Sequence, residues 1–244
     1  MVIRLVNQSS IRTVDVQKAV KAINLQLTRD FGRYWAHSAT VVLGGVPDAV
    51  KGDGVLYLSD TVNDEGILGY HGSVYSNAMP YGVVYTKLSE QLGEKWTVTL
   101  SHEVLELALN AHVNLYVIGP HPTEDRTVFF WREACDAVQA EEYAINGVYV
   151  SNFVTPLYFT TNEEAGQRND FLNRRYKGES LYSLWINPGG YVGYWDPVKD
   201  MDEIFYRKGD DKAKQKAALK LQQVGARSYR CAKSKKRALR AITE

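Results

Sequence analysis

The sequence predicts an α+β protein in which helices pack on one face of a mixed sheet. Three observations support this. Short runs rich in Val, Ile, Leu and Tyr recur between Gly, Pro and Asp residues, as half-buried strands do. Apolar residues near the N-terminus repeat at helical spacing over about five turns. A second helix-length segment, "VTLSHEVLELALNAH" (98–112), is apolar almost throughout. The chain has 244 residues, 45% of them hydrophobic, with 16 Tyr and 5 Trp, so a sizeable core can be buried.

In chain order, "VIRLV" (2–6) reads as a strand. Val16, Ala19, Val20, Ile23 and Leu27 define a helix from Thr13 to Phe31, with Thr13 as N-cap and Gly32 beyond its end. "ATVVLGG" (39–45) and "GVLYLSD" (54–60) read as strands, and residues 66–88 as two strands about a turn at Asn77 to Gly82. The helix of residues 98–112 follows. Further on, "TVFFW" and "GVYVSNFVTPLYF" read as strands, and "NPGGYVGYWDP" (187–197) as a Gly- and Pro-rich loop. The expected division is an α+β domain over 1–198 and a partly helical basic extension over 199–244. "KAKQKAALKLQQV" is the helical part of that extension.

Charge separates the same two parts. The net charge is +1, yet residues 207–244 hold 13 Lys and Arg against 3 Asp and Glu. An acidic body therefore carries a basic tail, which offers phosphates of a nucleic acid a contact surface. The tail can equally dock on an acidic partner, including a second copy of the chain. Two cysteines, Cys135 and Cys231, make no disulfide framework. The N-terminus lacks the apolar run of a signal peptide, and no stretch approaches the roughly 20 apolar residues of a membrane span. These features predict a protein made in the cytoplasm with no membrane partner.

The segment at 98–112 carries the chemistry. On a helical wheel His102, Glu106 and Asn110 form one stripe, Glu103 lies beside it, and Val104, Leu105, Leu107, Ala108 and Leu109 cover the rest. Such a helix is buried on most sides, and buried carboxylates need a countercharge. There is no Lys or Arg between Lys95 and Arg126. A divalent cation would supply the missing charge: His and Glu at i, i+4 can converge on one ion, and Glu103 is offset enough to reach the attacking water. The spacing is that of the H-E-x-x-H zinc hydrolases with Glu106 for the second histidine. The plain alternative is a hydrogen bond between His102 and Glu106, with Glu103 in solvent. For a third ligand the order of preference is Glu133, then Asp136, both in "EACD", then His112 at i+10; Cys135 is a further thiolate candidate. His71 in "GYHG" lies in a strand shortly before the helix, where it could bind metal or stabilise an oxyanion, or simply bond to backbone.

Together, "TLSHEVLELALN", "EACDAVQ", "INGVYVSNFVTPLYF" and "NPGGY" resemble a family of bacterial and phage proteins described as zincin-like, zinc metallopeptidases of the H-E-x-x-E type. The resemblance runs from about Ile67 to Tyr191. It implies a zincin-type fold, His102 and Glu106 on Zn2+, Glu103 as general base, and Glu133 to Asp136 as the family's E-x-C-D segment. Where the family often has Asp-Pro after the helix, this chain has Asn110 and Ala111. The expected activity is zinc-dependent hydrolysis of a peptide or similar amide. The alternative is a structural or interaction module, for example a phage particle component, whose metal site is silent.

Overall fold

The computed structural model describes residues 1–44, 53–60, 69–72, 79–91, 93–160, 167–211 and 213–214, with residues 69–72 described by their backbone. The fold is α+β, with one mostly parallel sheet and two antiparallel ones.

The first sheet contains β1 (Val2–Gln8), β2 (Thr40–Leu43), β3 (Gly54–Ser59), β4 (Gly69–Gly72) and β5 (Tyr81–Tyr85), in the order β2-β1-β3-β5-β4. The first four pair in parallel, and β4 closes one edge antiparallel to β5. Register places Val41, Ile3 and Gly54 in one row and Leu43, Leu5 and Leu56 in the next but one. Ile3, Leu5, Val41, Leu56, Leu58 and Val84 all lie in the main core. Helix α1 (Thr13–Leu25) adds Val16, Ala19, Ala22 and Ile23 to that core, and α4 (Trp96–Asn110) adds Leu100, Val104, Leu105, Leu107 and Leu109. The short helices α2 (Gly32–Trp35) and α3 (Thr86–Gln91) precede β2 and α4 respectively.

The expected end of the first helix at Gly32 is corrected. Residues Gln26–Phe31 form a widened π turn and the helix continues through α2 to Trp35, ending where Ala36 takes a left-handed φ of 51°. Gly32 permits the continuation: a Cβ there would lie 2.8 Å from the carbonyl oxygen of Leu27. The wide turn buries Gln26, Leu27, Asp30 and Phe31 together. Arg12, not Thr13, is the N-cap residue.

The second sheet contains β6 (Tyr116–Pro120), β7 (Thr127–Trp131), β10 (Tyr191–Asp196) and β11 (Met201–Tyr206), in the order β11-β10-β7-β6. This overturns the loop expected at 187–197: only its "NPGG" part turns, and "YVGYWD" is the central strand β10. The boundary expected at 198 falls in the β10–β11 turn, and the sheet runs across it to Tyr206. Between β7 and β10 lies a hairpin of β8 (Glu142–Ile145) and β9 (Val148–Ser151). Its two-residue turn, Asn146 and Gly147, has φ of 50° and 79°, as primed hairpin turns require. The long strand expected over 147–159 stops at Ser151, and Pro156–Phe159 is a 3₁₀ turn. Asp210 caps a helical turn whose residues 211, 213 and 214 are described. The rest of the basic helix expected over 212–224, Cys231 and most of the tail lie outside the described residues.

Candidate metal centre

Helix α4 lies against β4 and β5 on one side and β9 on another. That sandwich explains its composition, because ten of its residues are buried, Glu103, Glu106 and Asn110 among them. His102 keeps 12% of its side chain exposed, whereas Glu106 keeps none. The ring nitrogen Nε2 of His102 lies 3.2 Å from Oε1 of Glu106 and 3.3 Å from Oδ1 of Asp136. Sequence spacing supplies the first contact and tertiary packing the second. Glu106 Oε1 also accepts a hydrogen bond from the backbone N–H of Cys135 at 3.1 Å, and the Cys135 thiol donates to the carbonyl of His102 at 3.9 Å. The segment "EACD" is thereby laid along the ionisable stripe of α4.

Imidazole, carboxylate and thiol donors of His102, Glu106 and Cys135 lie within 4.8 Å of one another. These buried groups can hold a metal ion. Nitrogen, oxygen and sulfur donors at that spacing are of the types that ligate metal ions. Asp136 touches the same imidazole from the neighbouring residue. Glu133, first in order of preference from sequence, is not in that group. It lines, with Asp136, an adjoining pocket walled by Phe130, Trp131, Tyr158 and Phe159. His112 lies in the turn after α4, also outside the group. Asn110 is occupied elsewhere: its Oδ1 accepts from the N–H groups of Asn114 and Leu115, and its Nδ2 donates to the carbonyl of Arg132. His71 belongs to β4, paired with Gly82 in the row of Leu56 and Leu5, while its side chain lies outside the described residues.

Electrostatics follow from this geometry. Burial disfavours a charged His102 ring. The Glu106 carboxylate, the Asp136 hydrogen bond and the nearby Glu103 outweigh burial and push its pKa up to about 10. Burial, reinforced by Glu106, Asp136 and Glu103, raises the Cys135 thiol well above its ordinary range. Glu103, itself 4% exposed, is therefore close enough to act on both groups.

A web of polar groups that sequence reading did not anticipate braces the centre. Ser101, one residue before His102, donates to Gln26 Oε1 at 2.8 Å and accepts from the Ser151 N–H at 3.0 Å. Gln26 donates to the Ser151 carbonyl and to Tyr143, which donates to Asp30. The wide turn of α1, the helix α4 and the hairpin β8–β9 are thus locked together. On the far side, "NPGG" clamps the segment after "EACD". Asn187 bonds through its N–H to the carbonyl of Ala137 and through its amide to Glu141, and Gln139 donates to the carbonyl of Gly189. Asn152 of "SNF" bridges Glu141 and Asp170, both buried. The sequence blocks singled out above therefore meet in space.

A second cluster, His121, Asp196 and Glu203, also brings ligand atoms within 4.8 Å of one another. Its chemistry argues against a cation. His121 Nδ1 accepts from the N–H groups of Thr123 and Glu124, so the neutral ring carries its proton on Nε2, toward Tyr194. A nitrogen bearing that proton offers no lone pair to a metal. Arg126 already lies 2.6 Å from Asp196, and Lys199 2.8 Å from Glu203. This is an ion network tying β11 to the β6–β7 hairpin.

No family model, curated protein or solved structure matches the chain.

Proposed function

We propose that the chain is a zinc-dependent hydrolase of a peptide or similar amide, of the zincin type that its sequence blocks resemble. The observation that carries this reading is the His102 imidazole set between Glu106 and Asp136, with the Cys135 sulfur alongside, inside a largely apolar helix face. His102 and Glu106 would hold the ion, with Cys135 as the third donor and Asp136, whose Oδ1 meets the same Nε2, as a further candidate ligand. When bound, zinc supplies Lewis acidity toward a carbonyl oxygen and lowers the pKa of water. Glu103 takes a proton from the attacking water and passes it to the leaving nitrogen. Glu106, in place of a neutral histidine, adds negative charge around the ion and weakens its Lewis acidity, so turnover is slow or the substrate narrow. Glu103→Gln is expected to lower hydrolysis by about 100-fold or more while zinc content is unchanged. Full hydrolysis in that variant would refute the mechanism.

One observation favours a second reading. Glu106 and Cys135 are fully buried, Glu103 and Asp136 nearly so, and structural zinc sites are closed where catalytic ones keep an open position. On that reading the ion staples α4 to the "EACD" segment in an interaction module, such as a particle component. Zinc that co-purifies, stabilises the fold and supports no cleavage across a diverse peptide mixture would decide for it.

A further inference from the structure

Away from the metal centre, two buried carboxylates meet at one side chain. Glu141 and Asp170 are 1% and 0% exposed. The Asn152 amide lies between them: Nδ2 donates to Glu141 Oε2 at 2.8 Å and to Asp170 Oδ1 at 2.9 Å, one hydrogen for each. The amide cannot turn over, because Asn152 Oδ1 already accepts from the N–H groups of Phe153 and Leu172. The other titratable and charged groups about the pair are Tyr176, Arg168 and, beyond Tyr176, Arg174. Among the described residues no arginine or lysine forms a salt bridge with either carboxylate. Arg168 donates to the backbone carbonyls of Asp170 and Phe171, and Arg174 to that of Glu142.

The four carboxylate oxygens differ. Glu141 Oε1 accepts from Tyr176 and Asn187, and its Oε2 from Asn152. Asp170 Oδ1 accepts from Asn152 and from the Asn173 N–H. Asp170 Oδ2 is buried and, among the described residues, has no hydrogen-bond partner. Donors favour the charged form of the group that receives them, and donors reach both oxygens of Glu141. Two buried negative charges on one amide, with no paired cation, are costly. A neutral carboxyl with an unbonded hydroxyl costs far less than an unbonded charge. Burial pushes both carboxyls above their ordinary range, and for Glu141 the charge of Asp170 adds to the rise.

We infer that Asp170 is a neutral buried acid with its proton on Oδ2, and that loss of this proton parts the 169–173 segment from Asn152. The pair forms a pH-sensitive latch on the frame of the metal centre. Asn152 follows Ser151, whose N–H bonds to Ser101 beside His102, and Glu141 is gripped by Asn187. The latch therefore sits where the two braces of the centre meet. Its sign is opposite to that of an ion-paired carboxylate. A released Asp170 titrates near 3.8 and the latched one higher. The stabilisation is complete below about 3.8 and is lost as pH rises through the higher value.

The test follows hydrogen exchange at the N–H groups of Leu172 and Asn173 in the full-length protein and in Asp170→Asn, which fixes the neutral state. His102 contributes alike to both proteins, so their ratio isolates the latch. Protection relative to Asp170→Asn is expected to fall by up to about tenfold per pH unit above about 3.8, levelling off once Asp170 is ionised. Infrared spectra of protein labelled with 13C at the aspartate carboxyls are expected to show an acid carbonyl band that Asp170→Asn lacks and that vanishes where the fall levels off. The same pH profile in both proteins overturns the inference, as does an infrared spectrum unchanged by the substitution. Stabilisation of the wild type but not of Asp170→Asn by calcium ions also overturns it, since a cation and not a proton would then neutralise the pair. Should Asp170→Asn fail to fold, the wild-type spectrum decides alone, and absence of the acid band at about pH 5, where an ordinary aspartate is ionised, refutes the assignment.

Discussion

At the scale of single residues, the decisive contact is between His102 and its carboxylates. The apo protein holds a proton on that ring, because three acidic groups outweigh the effect of burial. Zinc requires the ring's lone pair, so loading near neutral pH must expel the proton, as calorimetry in buffers of different ionisation enthalpy would detect. Stability of the chelated protein has a matching signature. An unfolded histidine titrates near 6.5 and the folded one at about 10. The stabilisation is therefore complete below about 6.5 and is lost progressively as pH rises to about 10. Urea midpoints of the chelated protein should fall over that window, and His102→Gln should flatten the fall. This pairing was partly legible in the sequence. The i, i+4 spacing of His102 and Glu106 and the absence of nearby Lys and Arg pointed to it. The sequence could not say which "EACD" residue would meet the stripe. That depends on the backbone N–H of Cys135 reaching Glu106, a contact made by path and not by residue type.

At the scale of elements, α4 is held by polar bonds that no amphipathic pattern reveals. Gln26 and Ser101 stand at apolar-face positions, and periodicity counts such residues as noise. They are buried because each satisfies the other and Ser151. Ser101→Ala leaves the Gln26 carbonyl oxygen and the Ser151 N–H each short of a partner, and should cost about 1–3 kcal/mol in chemical denaturation. Gly193→Ala should cost about 1–3 kcal/mol by driving a methyl group into the Trp131 ring. The strand β10 was misread for a related reason. Its single glycine signals a turn in isolation, yet Gly193 is there for close packing of an indole. The hairpin β8–β9 is announced by "NG", yet β8 is only four residues long, too short for the alternation of Tyr143 and Ile145 to stand out.

At the scale of the whole molecule, the α+β class and the mixed sheet were readable because β1, β2, β3 and β5 are short apolar runs between clear breakers. The second sheet was not, since β6 and β11 are half-buried over much of their length and carry little in-and-out alternation. Among the described residues no helix is long and apolar enough to cross a membrane. The centre depends on chain segments far apart: Gln26, residues 101–106, residues 133–141, Ser151 and Asn187. Asn187→Ala, which removes the side-chain bond to buried Glu141 and keeps the backbone bond to Ala137, should lower stability by about 1–3 kcal/mol and weaken metal retention against a chelator without touching His102. The clamp by Asn187 also bears on folding order. Asn187 lies 50 residues beyond Ala137, so its grip on the segment after "EACD" is a long-range contact. It reinforces a centre whose own contacts all lie within residues 102–136.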